Sequence, residues 1–161
     1  TAADVEVIHQ IMETVKEGLS DKNSFVADDK AFISEHIERR GFTLIARVGN
    51  EVAGFLIIRI PGTDIDNLGR DIGFVGSKLQ KVAHMESVAV LPEHRGHGLQ
   101  KRLMAKAEDR LRILGYRYLM ATVYPGNKPS LTSFISSGYA VVLTKEKYSG
   151  LMRNILLKTI E

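Results

Sequence analysis

The sequence contains no cysteine among its 161 residues. This absence excludes disulfide bonds, thiolate metal sites and cysteine nucleophiles, and it is compatible with a reducing compartment. No apolar run approaches the roughly 18 residues that span a bilayer, and the amino terminus lacks a basic segment followed by an apolar one. We therefore expect no membrane partner and no export signal, and we predict a cytoplasmic protein.

The composition indicates one globular domain with a mild excess of positive charge. Apolar residues make up 44% and charged residues 25% of the chain, and 161 residues can bury a sizeable core without disulfides. We therefore predict a single domain over residues 1–161. The net charge of +3 is small enough to be explained by one phosphate-bearing cofactor. Nucleic acid is not expected as a partner, because no basic stripe alternates with exposed aromatic residues.

Hydrophobic periodicity predicts alternating helices and strands. Helices are predicted at residues 4–20, 28–40 and 98–114, with a turn and a short helix within 125–137. Strands are predicted at residues 42–48, 52–60, 82–90, 118–123, 140–147 and 151–158, with hairpin turns at Gly49-Asn50 and Tyr148-Ser149-Gly150. Residues 61–76 are predicted to form a long irregular loop. This order implies a mixed sheet with helices packed on it, and the start at Thr1 leaves room for an earlier strand.

The most informative segment is residues 84–100, HMESVAVLPEHRGHGLQ, which has the pattern of a strand, a proline turn, a glycine-rich loop and a helix start. Gly96 and Gly98 remove side chains where a ligand must approach the backbone. The helix start presents free N–H groups and the positive end of its dipole, and Arg95 adds a fixed charge beside them. The pattern favours a pyrophosphate site, although an ordinary tight turn has the same glycine spacing.

Residues 95–100, Arg-Gly-His-Gly-Leu-Gln, resemble the acetyl-CoA motif Arg/Gln-x-x-Gly-x-Gly/Ala of the GNAT superfamily, and they follow a Val-Ala-Val-x-Pro strand end as in that family. The resemblance extends through residues 118–123, Asn127 and residues 134–139, although Gln100 replaces the small residue that ends the family pattern. It implies an α/β (α+β) fold, a single domain whose mixed, mostly antiparallel sheet is flanked by helices. It also implies that splayed central strands bind acetyl-CoA and that the chain is an N-acetyltransferase.

The same resemblance implies a set of cofactor-binding residues within about residues 82–139. The pantetheine arm is expected to pair, like an added strand, with backbone groups of Val88 and Val90. The pyrophosphate is expected at Arg95, Gly96, His97, Gly98, Leu99, Gln100 and Lys101, and further cofactor contacts at Asn127, Ser130 and Phe134. For these last three, the alternatives are a helix N-cap, a solvated position and core packing, respectively.

Glu86 is the candidate general base. Acetyl transfer requires a neutral amine, so a carboxylate beside the splayed strands is expected to accept a proton from the ammonium form. The two-residue period of a strand predicts that Glu86 shares a face with His84 and Val88. Alternatively, Glu86 is structural and pairs with an arginine such as Arg59.

Tyr139 is the candidate general acid. Phe134 occupies the place where many family members carry a tyrosine that returns a proton to the departing thiolate, and Tyr139 is the nearest phenol downstream. Its alternative is packing in the core, as is common for an aromatic residue that opens a strand. Tyr124 and Tyr148 are rivals for the role.

The acceptor is expected to be a small-molecule or peptide amine, and a homodimer is left open. Asp64, Asp66 and Asp71 in the long loop can attract a cationic amine, although acidic loop residues are usually just solvated. No metal is expected, because the loop explains the spacing of the nearby histidines and no carboxylate cluster completes a ligand set. The missing tyrosine motivates a second hypothesis, a catalytically weak acyl-CoA-binding and sensing module.

Overall fold

Four α-helices and six strands form the part of the chain that the computed structural model describes, residues 1–21, 27–147 and 150–161. In chain order these elements are α1 (Ala2–Glu17), α2 (Lys30–Glu38), β1 (Gly41–Val48), β2 (Glu51–Arg59), β3 (Val82–Val90), α3 (Leu99–Ile113), β4 (Tyr118–Val123), α4 (Lys128–Ser136), β5 (Ala140–Lys147) and β6 (Leu151–Thr159). The predicted turn residues Tyr148 and Ser149 lie outside the described residues. No helix within the described ranges is long and apolar enough to cross a membrane.

The six strands form one mixed sheet in the order β1-β2-β3-β4-β6-β5. Only β3 and β4 are parallel, and every other neighbouring pair is antiparallel. One face is covered by α3 and α4 through apolar side chains such as Leu103, Leu111 and Phe134. The other face is covered by α1 and α2 through residues such as Ile8 and Ile33. The predicted single α/β domain, with helices on a mostly antiparallel sheet, is confirmed.

The start of α2 differs from the prediction by two residues. The helix begins at Lys30, because the Asp29 side chain caps it by accepting a hydrogen bond from the Phe32 N–H at 2.8 Å. Asp28, predicted as the first residue of this helix, therefore precedes the cap. Its side chain turns to β3, where its Oδ2 accepts a hydrogen bond from the Ser87 hydroxyl.

The long loop after β2 is more ordered than predicted, because ion pairs attach it to the sheet. It contains a 3₁₀ helix at Leu68–Ile72 and is followed by another at Gly76–Lys81. Arg59 binds Asp64 at 2.7 Å and Asp66 at 2.6 Å, and Arg40 also pairs with Asp64. Hydrogen bonds from Arg59 hold the pKa of both carboxyl groups below its usual range.

Asp71, the third acidic residue of this loop, is also paired. Its carboxylate binds Lys145 at 2.7 Å and Lys147 at 2.8 Å, which ties the loop to β5. These ion pairs do not favour the alternative that the acidic loop residues attract an acceptor amine. Each of the three carboxylates already has a cationic partner within the chain.

A bulge in β3 changes which side chains share a face of the sheet. Ile57 is opposite Ser87 and Ile58 is opposite Met85, so Glu86 is an extra residue without an opposite partner on β2. Before the bulge, Met85 packs toward α3, and after it, Val88 does. Glu86 and Val88 therefore point to opposite faces, and the predicted shared face is wrong.

Candidate active site

A cavity of about 760 Å³ opens where β3 and β4 diverge. The two strands pair only from Val82 to His84 and from Tyr118 to Met120, after which the described part of the chain places no strand against this edge of β3. The cavity lies between β3, the end of β4, the start of α3 and α4, and residues before α2 also reach it. The structure brings together most predicted site residues: Glu86, Val88, Val90, Arg95, Gly96, Gly98, Leu99, Gln100, Lys101, Asn127, Ser130 and Phe134 all line it. His97 and Tyr139 do not.

The loop between β3 and α3 forms an open cradle for an anion. Gly96 and Gly98 adopt positive φ angles of 80° and 73°, and a Cβ built on either glycine would meet no atom within 4 Å. Gly98 is the N-cap of α3, and within the described residues no side chain caps this helix start. The first N–H groups of α3 are thus directed to the cavity without a side-chain acceptor. This arrangement fits a pyrophosphate.

The splayed strand edge fits an amide-bearing chain. Backbone groups of β3 beyond His84 lack a neighbouring strand on the β4 side in the described structure, so an extended ligand can pair with them. The Val90 carbonyl already accepts a hydrogen bond from Arg95 Nε at 3.1 Å, which attaches the loop to the strand end. Of the two predicted backbone positions, Val88 is thus the better placed for the pantetheine arm. The cradle fits the pyrophosphate of coenzyme A, and this strand edge fits its amide-bearing pantetheine arm.

Glu86 is positioned by a buried histidine with a defined tautomer. The Leu68 N–H donates to His84 Nε2 at 3.1 Å, so that nitrogen carries no proton. The proton of the neutral ring therefore lies on Nδ1, 3.3 Å from Glu86 Oε2. His84 is 3% exposed, so the ring is fixed between the long loop and the carboxylate. Arg59, the alternative partner for Glu86, forms its ion pairs with the loop aspartates and interacts with Glu86 only through its charge.

A second carboxylate, which sequence reasoning missed, lines the same cavity. Asp28 Oδ2 accepts a hydrogen bond from Ser87 Oγ at 2.7 Å. Burial raises the pKa of Asp28 to about 6, with the Ser87 hydrogen bond opposing the shift and the charge of Glu86 adding to it. The sequence feature that could have indicated this residue is the pair of aspartates before α2. Only Asp29 is needed to cap the helix, which leaves Asp28 available for another role.

The raised pKa of Asp28 predicts how Asp28→Asn changes stability with pH. Between the ordinary carboxyl pKa and about 6 the folded chain binds this proton more tightly than the unfolded chain, so the wild type loses stability as pH rises. Asparagine can still accept the Ser87 hydrogen bond and carries no charge. We expect Asp28→Asn to gain roughly 1–2 kcal/mol at pH 7.5 and to lose that gain toward pH 4. Urea unfolding at both pH values measures this, and a variant less stable than wild type at pH 7.5 contradicts it.

Asn127 and Phe134 have structural roles besides lining the cavity. Asn127 caps α4, since its Oδ1 accepts a hydrogen bond from the Ser130 N–H at 3.3 Å. Phe134 is 2% exposed and packs edge-on against Tyr139, with ring centroids 5.1 Å apart. The N-cap and core-packing alternatives therefore hold for these two residues, both of which also line the cavity.

The position of Tyr139 corrects its predicted role as the acid. The ring is 3% exposed and belongs to the core under α3 and α4 rather than to the cavity. Burial, and then the charge of Glu108, raise the pKa of the phenol well above its ordinary value, which makes it a poor proton donor. Tyr124, named only as a rival, does line the cavity, and its ring lies 5.5 Å from the guanidinium of Arg153. Tyr148 lies outside the described residues.

Replacing Tyr139 with phenylalanine is therefore expected to leave turnover unchanged. The buried hydroxyl has no well-formed hydrogen bond within the described residues, so its removal is also expected to cost little stability. Steady-state kinetics and thermal unfolding of Tyr139→Phe test both expectations. A tenfold fall in turnover with an unchanged melting temperature would contradict this expectation and support Tyr139 as the general acid.

The model of the Acetyltransferase (GNAT) family matches residues 8–138, which is most of the chain. The chain belongs to the GNAT acetyltransferase family. It is accordingly an acyltransferase with acetyl-CoA as its cofactor, and the loop and splayed strands described above fit that cofactor. No curated protein matches the sequence.

Solved structures of low sequence identity share the fold over the whole chain. The yncA protein of Salmonella typhimurium, solved with its cofactor acetyl-CoA, is 17% identical with a TM-score of 0.71, covering 100% of this chain and 91% of the other. The ribosomal-protein-alanine N-acetyltransferase of Brucella melitensis is 18% identical with a TM-score of 0.72, covering 99% and 96%. Ard1 of Thermoplasma volcanium is 14% identical with a TM-score of 0.74, covering 100% and 94%. At this identity the likeness concerns the fold alone.

Proposed function

We propose that this protein is an N-acetyltransferase that moves the acetyl group of acetyl-CoA to a primary amine by direct attack. The proposal treats residues 1–161 as one domain in which residues 82–139 carry the cofactor motif. The observation that carries it is a single cavity that joins the cradle at Gly96 and Gly98 to the carboxylate of Glu86. About 13 Å of strand separates Glu86 from Val90 at the base of the cradle, so phosphate and amine can bind at different ends.

The cofactor end is assigned to the residues of the cradle and the splayed strand. Arg95 and Lys101 add positive charge beside the uncapped start of α3, where a pyrophosphate is stabilised by N–H groups and by the helix dipole. The backbone of Val88 is assigned to the pantetheine arm. Its N–H is also proposed to donate to the thioester oxygen, where negative charge develops during attack.

Glu86 is assigned the role of general base at the acceptor end. Acetyl-CoA, when bound, supplies a thioester whose carbonyl carbon an amine can attack. Glu86 accepts a proton from the ammonium form, directly or through water, so that the nitrogen lone pair can form the C–N bond while the C–S bond breaks. His84 is a positioning residue, because its Nδ1–H orients the carboxylate. The electron pair leaves on sulfur, and a thiolate is a tolerable leaving group because its pKa is about 8.5.

The acceptor class that the cavity supports is a small-molecule or peptide amine. A panel of alkyl amines, polyamines, amino acids and amino-terminal peptides, followed by release of free thiol from acetyl-CoA, tests the proposal. We expect at least one primary amine to release thiol above the background hydrolysis rate and to be recovered as its acetamide. Thiol release without any acetamide would contradict amine transfer.

The sensing module remains as a second candidate, because Phe134 has no hydroxyl and Tyr139 lies in the core. It differs from the enzyme in one measurable respect, since it binds acetyl-CoA without consuming it. A thermal shift with acetyl-CoA, together with no turnover across the whole amine panel, would favour the module over the enzyme.

A further inference from the structure

Two carboxylates reach the same end of the cavity because of the bulge in β3. In a regular strand, Glu86 and Ser87 would point to opposite faces. The extra residue at Glu86 instead leaves it beside His84 while Ser87 binds Asp28, on the face that α1 and α2 cover. Both Glu86 and Asp28 line the cavity from this side.

These two carboxylates differ from the three aspartates of the long loop, because neither forms an ion pair with a lysine or an arginine in the described part of the chain. Asp64, Asp66 and Asp71 each bind an arginine or a lysine. Glu86 contacts His84 and also interacts electrostatically with Arg59, whose guanidinium is itself bound by Asp64 and Asp66.

The groups that surround Asp28 leave its charge uncompensated by a fixed cation. They are Ser87 and Glu86 on β3, His36 on α2 and the neighbouring Asp29. Two carboxylates near each other in a partly buried site repel, and this repulsion raises the proton affinity of at least one. The pKa of Asp28 is raised first by burial, with the Ser87 hydrogen bond opposing the shift and the charge of Glu86 adding to it. A ligand ammonium group placed between the two carboxylates would remove the repulsion.

We propose that Asp28 is a specificity-determining residue which, with Glu86, binds the ammonium group of the acceptor. The inference rests on the proposed acetyltransfer, since it describes the acceptor end of that same cavity. Asp28 holds the cation by charge while Ser87 fixes the carboxylate through its hydroxyl. The acceptor is then recognised in its cationic form before Glu86 takes the proton. Uncharged analogues of the same shape are rejected, because they would leave both carboxylates without a counter-charge.

The first test measures binding without turnover. Wild type saturated with coenzyme A, which has no acetyl group to transfer, is titrated with benzylamine and with benzyl alcohol, an uncharged analogue of the same shape. In the wild type, we expect benzylamine to give the larger thermal shift. Asp28→Asn should lower the apparent affinity for benzylamine at least tenfold, so that the two ligands give similar shifts. Equal shifts in the wild type would overturn the inference.

The second test measures kinetics with the best acceptor of the amine panel. Asp28→Asn is expected to raise KM for the amine about tenfold, to change kcat less than threefold and to leave the acetyl-CoA thermal shift intact. The acid limb of the wild-type kcat/KM profile, with an apparent pKa near 6, should be absent from the variant. An unchanged KM together with an unchanged acid limb would refute the role of Asp28.

Asp29→Asn is the matched control, because Asp29 is the neighbouring aspartate, its side chain caps α2 as asparagine also can, and it does not line the cavity. It should leave KM as in wild type and keep the acid limb with only a small shift to lower pH, because the charge of Asp29 is the smallest of the causes that act on the pKa of Asp28. A KM rise equal to that of Asp28→Asn would show that the effect comes from α2 as a whole and would overturn the assignment. If benzylamine binds as expected but no amine is acetylated, the proposed function fails and the inference about Asp28 stands.

Discussion

Glu86→Gln is expected to lower turnover at neutral pH by about 10²-fold or more while leaving acetyl-CoA affinity nearly unchanged. Glutamine keeps the shape of the side chain, and its carbonyl oxygen can still take the position of Glu86 Oε2, 3.3 Å from His84 Nδ1. The substitution therefore removes the proton-accepting function without removing the contact that positions the group. Rates with the best amine of the panel, at saturating acetyl-CoA, measure the effect.

The pH dependence separates a general base from a structural role. Above the pKa of the acceptor amine, the free base is already present in solution, so the difference between wild type and Glu86→Gln should shrink as pH rises. Glu93→Gln is a suitable control, because Glu93 is an exposed residue of the turn after β3 and lies outside the cavity. A constant ratio of the two rates at every pH would show that Glu86 acts through structure.

Gly98→Val is expected to abolish most of the stabilisation that acetyl-CoA provides. At a ligand concentration of about 100 times Kd, that stabilisation amounts to roughly 2.7 kcal/mol in wild type. Gly98 has φ 73° and ψ 16°, a left-handed conformation that a β-branched residue adopts only with strain. Its Cβ would also project into the open space that the cradle offers to a ligand. Thermal unfolding with and without acetyl-CoA measures the loss.

Gly73→Val is the control that distinguishes a loss of phosphate binding from the effect of backbone strain on stability. Gly73 has nearly the same conformation, φ 82° and ψ 14°, and also has open space at its Cβ position, but it ends a 3₁₀ helix away from the cavity. Both variants should therefore lose similar intrinsic stability. Only Gly98→Val should lose the acetyl-CoA shift, and a full shift in Gly98→Val would refute the placement of the phosphate site.

Local pattern was enough to predict the elements that hold the cofactor end. The bounds of β3 and β4 agree with the predicted residues 82–90 and 118–123, because short, strongly apolar segments between turn residues have few alternatives. The loop from Arg95 to Lys101 could be recognised because its glycines, its charge and its helix start are adjacent in sequence. The phosphate-binding loop can therefore be predicted from residues that are contiguous in the sequence.

The acceptor end, in contrast, is formed by residues far apart in sequence. Asp28 and Ser87 are 59 residues apart, and no local pattern relates a residue before α2 to one in the middle of β3. Tyr139 was misplaced because a residue just before a strand can face either the core or a cleft, and its packing against Phe134 is a tertiary contact that the local sequence does not specify.

The sequence by itself determined the family, the order of the elements and the phosphate-binding loop, since these depend on local propensity and on contiguous residues. The tertiary structure decided which carboxylates meet. The bulge at Glu86 reverses the alternation of β3, and a one-residue change in strand register exchanges the two faces of a sheet. That exchange places Ser87 beside Asp28 and moves Val88 to the opposite face, and it depends on how β2 and β3 pair, which the residues of β3 alone do not specify.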